Sequence, residues 1–250
     1  MNLTEYRASA LERQRTSDLM GLIPQAGQSA LDIGARDGHF SVLLASRFQR
    51  VVALDLERPS FQHPSVDCVQ GDASRLDYPD GTFDLVFCAE VLEHIPSHLL
   101  TQVCSEIQRV CRGQVVIGVP YMQDIRVGRS TCQSCGGKNP PWGHVNRFDE
   151  RRLGELFSDC RVARKSLVGS RLEQTNALSC TLMDWAGNPY GTYSQDEPCI
   201  HCGQALGRPG ERHLGGKILT RLAFLAQRWT TASASPRANW IHLLLAKRPS

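Results

Sequence analysis

Residues 30–41, ALDIGARDGHFS, read as a buried β-strand that ends in a glycine turn and opens a helix. The apolar run stops at Asp32, and Gly34 and Gly38 bracket the turn. Glycines here let a backbone approach a ligand with no Cβ in the way. The opening turn of the following helix offers unpaired amide donors and the positive end of the helix dipole. In open parallel sheets, ligands collect outside the carboxyl ends of the strands. The spacing is G-x-x-x-G, so the dinucleotide fingerprint G-x-G-x-x-G is not met.

Outward from this turn the chain alternates strands and helices. Strands are expected at 29–33, 50–54, 66–70, 82–88, 114–119, 161–168 and 240–246. Helices are expected at 5–23, 39–48, 97–111, 149–157 and 217–229, with a turn-rich stretch at 188–210 and a flexible connector at 230–238. Alternation with nearly continuous apolar strands signals a parallel sheet covered on both faces. The expected organisation is an N-terminal helical segment (1–28), a core (29–168 plus 239–250), and insertions at 121–148 and 169–238.

The balance of 28 Lys+Arg against 25 Asp+Glu in 250 residues is too mild to argue for nucleic acid. No apolar run approaches the roughly 20 residues of a membrane span. The first 20 residues are charged and lack a signal-peptide core, so a cytoplasmic protein is expected. In the helix at 217–229, Ile218, Leu219, Leu222, Leu225 and Trp229 accompany Lys217, Arg221 and Arg228. That pattern suits a packed surface helix, or one lying on a membrane surface in peripheral contact. Nothing in the sequence specifies an oligomeric state.

Ten cysteines in a cytoplasmic chain point to metal or buried thiols rather than a disulfide framework. Cys132-Gln-Ser-Cys135-Gly136 and Cys199-Ile-His-Cys202-Gly203 share the form C-x-x-C-G. Each is a knuckle that can present two thiolates to one metal. Together they make a closed S4 site of the kind structural zinc prefers. The expectation is a zinc that ties the two insertions into a lid.

The stretch 29–120, and more loosely the chain to 168, resembles the class I S-adenosylmethionine-dependent methyltransferases, small-molecule branch. Of the family pattern acidic-x-Gly-x-Gly-x-Gly, Asp32, Gly34 and Gly38 match, and Arg36 takes the place of the middle glycine. The run FDLVFCAEVLEHIP, residues 83–96, resembles the family's fourth strand and following turn. The resemblance implies an α/β fold. It is a Rossmann-like, doubly wound, mainly parallel seven-stranded sheet of order 3-2-1-4-5-7-6, with the zinc-knuckle insertion added. It further implies S-adenosyl-L-methionine as cofactor, with Asp55 on the ribose hydroxyls and Asp72 and Ala73 at the adenine.

The implied reaction is in-line methyl transfer to a small-molecule, sugar or lipid-linked acceptor, for which the protein mainly aligns the acceptor and excludes water. Where the acceptor carries a proton, Glu90, Glu93, His94 and His144 are candidate bases, histidine being best tuned near neutrality. Related methyltransferases place a His-x-x-x-Phe segment near the acceptor pocket, matched here by His144 and Phe148. Cys88-Ala89-Glu90-Val91 stands where amino-methylating nucleic-acid enzymes carry an Asn/Asp-Pro-Pro-Tyr run. The alternatives are an RNA or protein methyltransferase that docks through the zinc module, using basic residues between 126 and 165, and a cofactor-binding scaffold without turnover.

Overall fold

The computed structural model describes residues 7–232 and 234–248. Residues 5 and 6 of the expected first helix and residue 233 of the expected connector lie outside them. In chain order the first elements are helix α1 (Ala10–Leu22), strand β1 (Gly27–Ile33), α2 (His39–Ala45), β2 (Phe48–Asp55), β3 (Val66–Gln70) and β4 (Phe83–Ala89), among the described residues. There follow α3 (Leu100–Val110), β5 (Cys111–Pro120), the two-residue strands β6 (Ser130–Thr131) and β7 (Lys138–Asn139), and α4 (Glu150–Leu156). The last elements are β8 (Cys160–Val168), α5 (Ala177–Trp185), α6 (Leu214–Thr231) and β9 (Trp240–Lys247).

By their internal packing the residues form two units. Among the described residues, a sheet unit takes in 10–121, 148–169 and 238–248, and a knuckle unit takes in 7–9, 122–147, 170–232 and 234–237. The sheet unit holds seven strands in the order β3-β2-β1-β4-β5-β9-β8. The first five pair in parallel, and β9 runs antiparallel to β5 and β8.

Period-two alternation divides the core between the two faces of the sheet. In β4, Val86 and Cys88 face one cluster with Leu31, Ile33, Val115 and Ile117, covered by Leu100, Val103, Ile107 and Val110 of α3. Leu85 and Phe87 face the other, with Ala30, Val51 and Val116, covered by Leu19 and Leu22 of α1 and Leu44 of α2. Each such side chain contributes roughly 1.5–3 kcal/mol by leaving water. The edge strand β8 exposes Arg161, Arg164 and Lys165, a charged edge that discourages pairing with another chain.

Several boundaries differ from the sequence expectation. The helix after the glycine turn ends at Ala45, and β2 begins at Phe48. Arg47 donates to the carbonyls of Met20 and Ile23, and Phe48 enters the second core cluster. The helix α5 has no counterpart in the expected elements; Asn176 caps it by accepting from the Ser179 amide at 2.8 Å.

Candidate functional site

Parallel register gathers the loops that the site needs. Ile33 pairs with Leu54 and with Cys88, and Asp55 pairs with Gln70. The segments just beyond, at Gly34, Asp55, Gly71 and Glu90, therefore emerge side by side at the carboxyl edge of the sheet. Hydrogen bonds stitch them together. The Gly34 and Ala35 amides donate to the Leu54 carbonyl, and the Gly71 amide donates to the Asp55 carbonyl at 2.8 Å.

The turn after β1 is left-handed at three positions, Gly34 (φ 77°), Arg36 (φ 51°) and Gly38 (φ 80°). A Cβ on Gly34 would lie 2.3 Å from Val91, and one on Gly38 would lie 2.2 Å from the Phe61 ring, so both must be glycine. Arg36 holds a conformation that disfavours L-residues by about 1–2 kcal/mol. What holds it is the Asp55 carboxylate, whose Oδ2 accepts from the Arg36 amide at 2.8 Å. Asp55 Oδ1 carries no protein hydrogen bond among the described residues.

The other carboxylates of the motif are placed differently. Asp32 is buried, 2% exposed, and its Oδ2 accepts from Ser41 Oγ at 2.5 Å. It braces the turn from beneath, joining the end of β1 to α2. Burial outweighs the Ser41 bond and raises its pKa to about 7, with Asp55 adding to the rise. Asp72 is exposed and caps its own turn, its Oδ1 accepting from the Ser74 amide at 2.7 Å. Ala73 beside it is buried.

The raised Asp32 pKa has a consequence for stability. The native pKa, about 7, exceeds the ordinary 3.8, so this group's contribution is full below pH 3.8 and is lost as pH rises through 7. The loss amounts to about 4 kcal/mol at most. In Asp32→Asn the group no longer titrates, and Asn can still accept from Ser41. Urea midpoints at pH 5 and pH 8 are expected to differ less in the variant than in the native chain.

After β4 the backbone turns through Glu90 at φ 58°. Glu90 Oε2 accepts from Trp240 Nε1 at 3.2 Å, and Arg15 Nη1 lies 3.7 Å from Oε1. Arg15 is itself buried, bonded to Glu12 at 2.6 Å, and its guanidinium lies 5.6 Å from the centres of the Phe40 and Trp240 rings. Sequence reasoning missed this arginine. Its signal is the helical stripe Glu12, Arg15, Leu19, Leu22, the four buried positions of α1. Glu93 is fully buried, and among the described residues neither carboxylate oxygen has a hydrogen-bond partner. Burial, with Glu90 nearby, pushes its carboxyl well above the usual range and favours the neutral form. Burial, then the Arg36 charge, lowers His94 to about 4. It is neutral near pH 7 and a weak proton acceptor there.

The knuckle unit contains the cysteine cluster. The Sγ atoms of Cys132, Cys135, Cys199 and Cys202 lie within 4.8 Å of one another. Cys132–Cys202 is 3.7 Å and Cys135–Cys199 is 3.6 Å. A tetrahedral site with metal–sulfur bonds of 2.3 Å requires sulfurs about 3.8 Å apart. A disulfide requires about 2.05 Å. The four thiols therefore fit a metal. Each knuckle closes with a glycine amide donating back to its first cysteine, Gly136 to Cys132 and Gly203 to Cys199. Both glycines are left-handed, at φ 70° and 72°. Although burial opposes it, the backbone amides of His201 and Cys202, with Asn139, bring the Cys199 thiol down to about 6.

His144 belongs by its packing to the knuckle unit. It is 8% exposed, and its Nδ1 meets Gln123 Oε1 at 2.6 Å, which puts the proton on Nδ1. Within the same unit lies a cavity of about 460 Å³, walled by Arg126, Arg129, Arg171, Trp142, Met183 and Phe224 among others. That volume lies in the range of small-molecule pockets.

A family model described as a methyltransferase domain matches residues 31–117. A protein of Mycolicibacterium smegmatis described as a probable S-adenosylmethionine-dependent methyltransferase is 31% identical over 151 residues, 58% of this chain and 55% of that one. The ubiquinone biosynthesis O-methyltransferase of Albidiferax ferrireducens is 29% identical over 86 residues, 30% of this chain and 34% of that one. The chain thus spans about half the length of these relatives, or less. Among solved structures, the N-methyltransferase NodS of Bradyrhizobium japonicum, in complex with S-adenosyl-l-homocysteine, superposes with a TM-score of 0.53 at 18% identity. That match covers 67% of this chain and 84% of that one. The 1,6-didemethyltoxoflavin-N1-methyltransferase of Burkholderia thailandensis, bound to its namesake ligand and S-adenosylhomocysteine, gives 0.56 at 14% identity, covering 98% and 81%. At these identities the likeness is one of fold.

Proposed function

We propose that this chain, which carries a class I S-adenosylmethionine-dependent methyltransferase domain, transfers a methyl group to a small-molecule, sugar or lipid-linked acceptor. The observation that carries the reading is Asp55. One oxygen is fixed by the Arg36 amide and the other is open, at the end of the strand beside the glycine turn. A carboxylate so held can accept from both hydroxyls of a ribose. The bound cofactor would supply an electrophilic methyl on a sulfonium. The chain's own residues orient it. Asp32 braces the turn through Ser41, the left-handed turn lets a ligand approach closely, and the family resemblance assigns Asp72 and Ala73 to the adenine.

Glu90, held by Trp240 and near Arg15, is a rigid carboxylate at the same edge of the sheet. His94 has too low a basicity to accept a proton efficiently near neutrality, so Glu90 and His144 are the stronger candidates for a proton acceptor. The four cysteine thiolates would hold a zinc ion in a structural role, since four thiolates leave no open coordination position.

Small acceptors are favoured over RNA or protein because four of the nine basic residues between 126 and 165 are already paired with acids. Arg126 pairs with Asp124, Arg129 with Asp184, Arg151 with Glu155 and Lys165 with Glu150. The test is transfer of radiolabelled methyl from S-adenosylmethionine to a small-molecule extract, to RNA and to protein in parallel. Label is expected in the small-molecule fraction and at background in the others. Label on RNA or protein alone would overturn the acceptor class.

A further inference from the structure

Helix α6 has its amphipathicity turned outward. Leu214, Ile218, Leu222, Leu225 and Trp229 recur at intervals of three and four residues, so they form one stripe along the helix. They are 75%, 50%, 46%, 52% and 80% exposed. The buried face is small and partly polar, with Thr220, Ala223 and Ala226 almost fully covered. Asn176 Nδ2 fastens that face, donating to the Ala226 carbonyl at 2.7 Å. The helix is thus seated by its small side and shows water its large apolar one. A continuous exposed stripe of this kind marks an interaction surface.

The charges indicate what covers it. Lys217, Arg221 and Arg228 are exposed, and their spacing places them together along one flank of the stripe. Residues 214–231 contain no Asp or Glu. A second copy of the chain laid stripe to stripe would bring two purely cationic helices together, which like-charge repulsion opposes. An anionic lipid surface satisfies both features at once. Its acyl boundary takes the leucines and the tryptophan, and its headgroups take the basic flank. Among the described residues no helix is long and apolar enough to cross a membrane.

We propose that α6 is a peripheral membrane anchor, docking the knuckle unit on an anionic bilayer through Leu214, Ile218, Leu222, Leu225 and Trp229, with Lys217, Arg221 and Arg228 on the headgroups. This stands independently of the methyl-transfer reading, since none of these residues belongs to the candidate cofactor site. The test is co-sedimentation of the full chain with phosphatidylcholine vesicles, with and without 25% phosphatidylglycerol (about that fraction suffices for a strong surface potential). Anionic vesicles are expected to bind at least roughly tenfold more tightly than neutral ones, and the difference to shrink in high salt. Leu225→Glu, at an exposed position, is expected to keep the native circular dichroism and cofactor affinity and to lose tenfold or more in partitioning. Three results would overturn the proposal: no sedimentation with either vesicle, equal binding of Leu225→Glu, or a native dimer in ultracentrifugation that the same substitution dissociates.

Discussion

Stripping the metal from the four-cysteine site is expected to unfold the knuckle unit. The hydrophobic cluster at that site consists of Cys132, Tyr193, Cys199 and Leu206, two of which belong to the proposed metal site. So small a core cannot offset the entropy of ordering the two long segments that meet there, 122–147 and 170–237. Binding of structural zinc supplies on the order of 10–16 kcal/mol in small zinc domains, and that energy becomes folding energy. The native chain is expected to hold about one zinc per molecule. Cys199→Ala, or a strong chelator, should release it and open the 188–210 stretch to protease. A metal-free chain with the native melting curve and protease resistance would contradict a structural zinc. The direction of effect does not depend on the methyl acceptor, because the four thiols cluster with one another and belong to a different unit from the glycine turn.

Asp55→Ala is expected to weaken S-adenosylhomocysteine binding by about a hundredfold or more. Two charge-assisted hydrogen bonds to a diol, each worth roughly 1.5–3 kcal/mol, account for a loss of about 3 kcal/mol. A second effect acts in the same direction. The Arg36 amide loses its acceptor at 2.8 Å, and with it goes the contact that holds a non-glycine residue at φ 51°. Asp55→Asn keeps an acceptor for that amide and should fall between the native chain and the alanine variant. Equal affinities in isothermal titration of the native and Asp55→Ala chains would remove Asp55 from the site.

Much of this site is legible in the sequence because its parts are local. Gly34 and Gly38 carry the left-handed turn within nine residues of Asp32, and Asp55 sits at the end of the next apolar run. The sheet of mostly parallel strands follows from the alternation of apolar runs and amphipathic stretches. What the sequence hid depends on contacts far apart in the chain. Arg15 reads as a surface charge, yet it reaches Glu90, 75 positions away in the numbering, and lies buried against Phe40 and Trp240. Asp32 reads as a ligand contact, and only the folded packing reveals it buried under the turn and bonded to Ser41. Helix α5 escaped notice because ALSCTLMDW shows no charged face to set against an apolar one; its cap, Asn176, was the available sign. The outward apolar face of α6 was one of two readings that the sequence left open, for a related reason. Periodicity reveals that a helix has an apolar stripe and leaves open which way the stripe points.

The glycine turn and Asp55 are expected to form a binding site for an adenosyl cofactor. Calorimetric titration of the native chain with S-adenosylhomocysteine, the product of methyl donation, tests it most directly. Saturable binding of one molecule per chain, in the micromolar range or tighter, is the expected result, on the order of 8 kcal/mol or more of binding free energy. A flat titration, from a chain whose circular dichroism and melting transition show it folded, would contradict it.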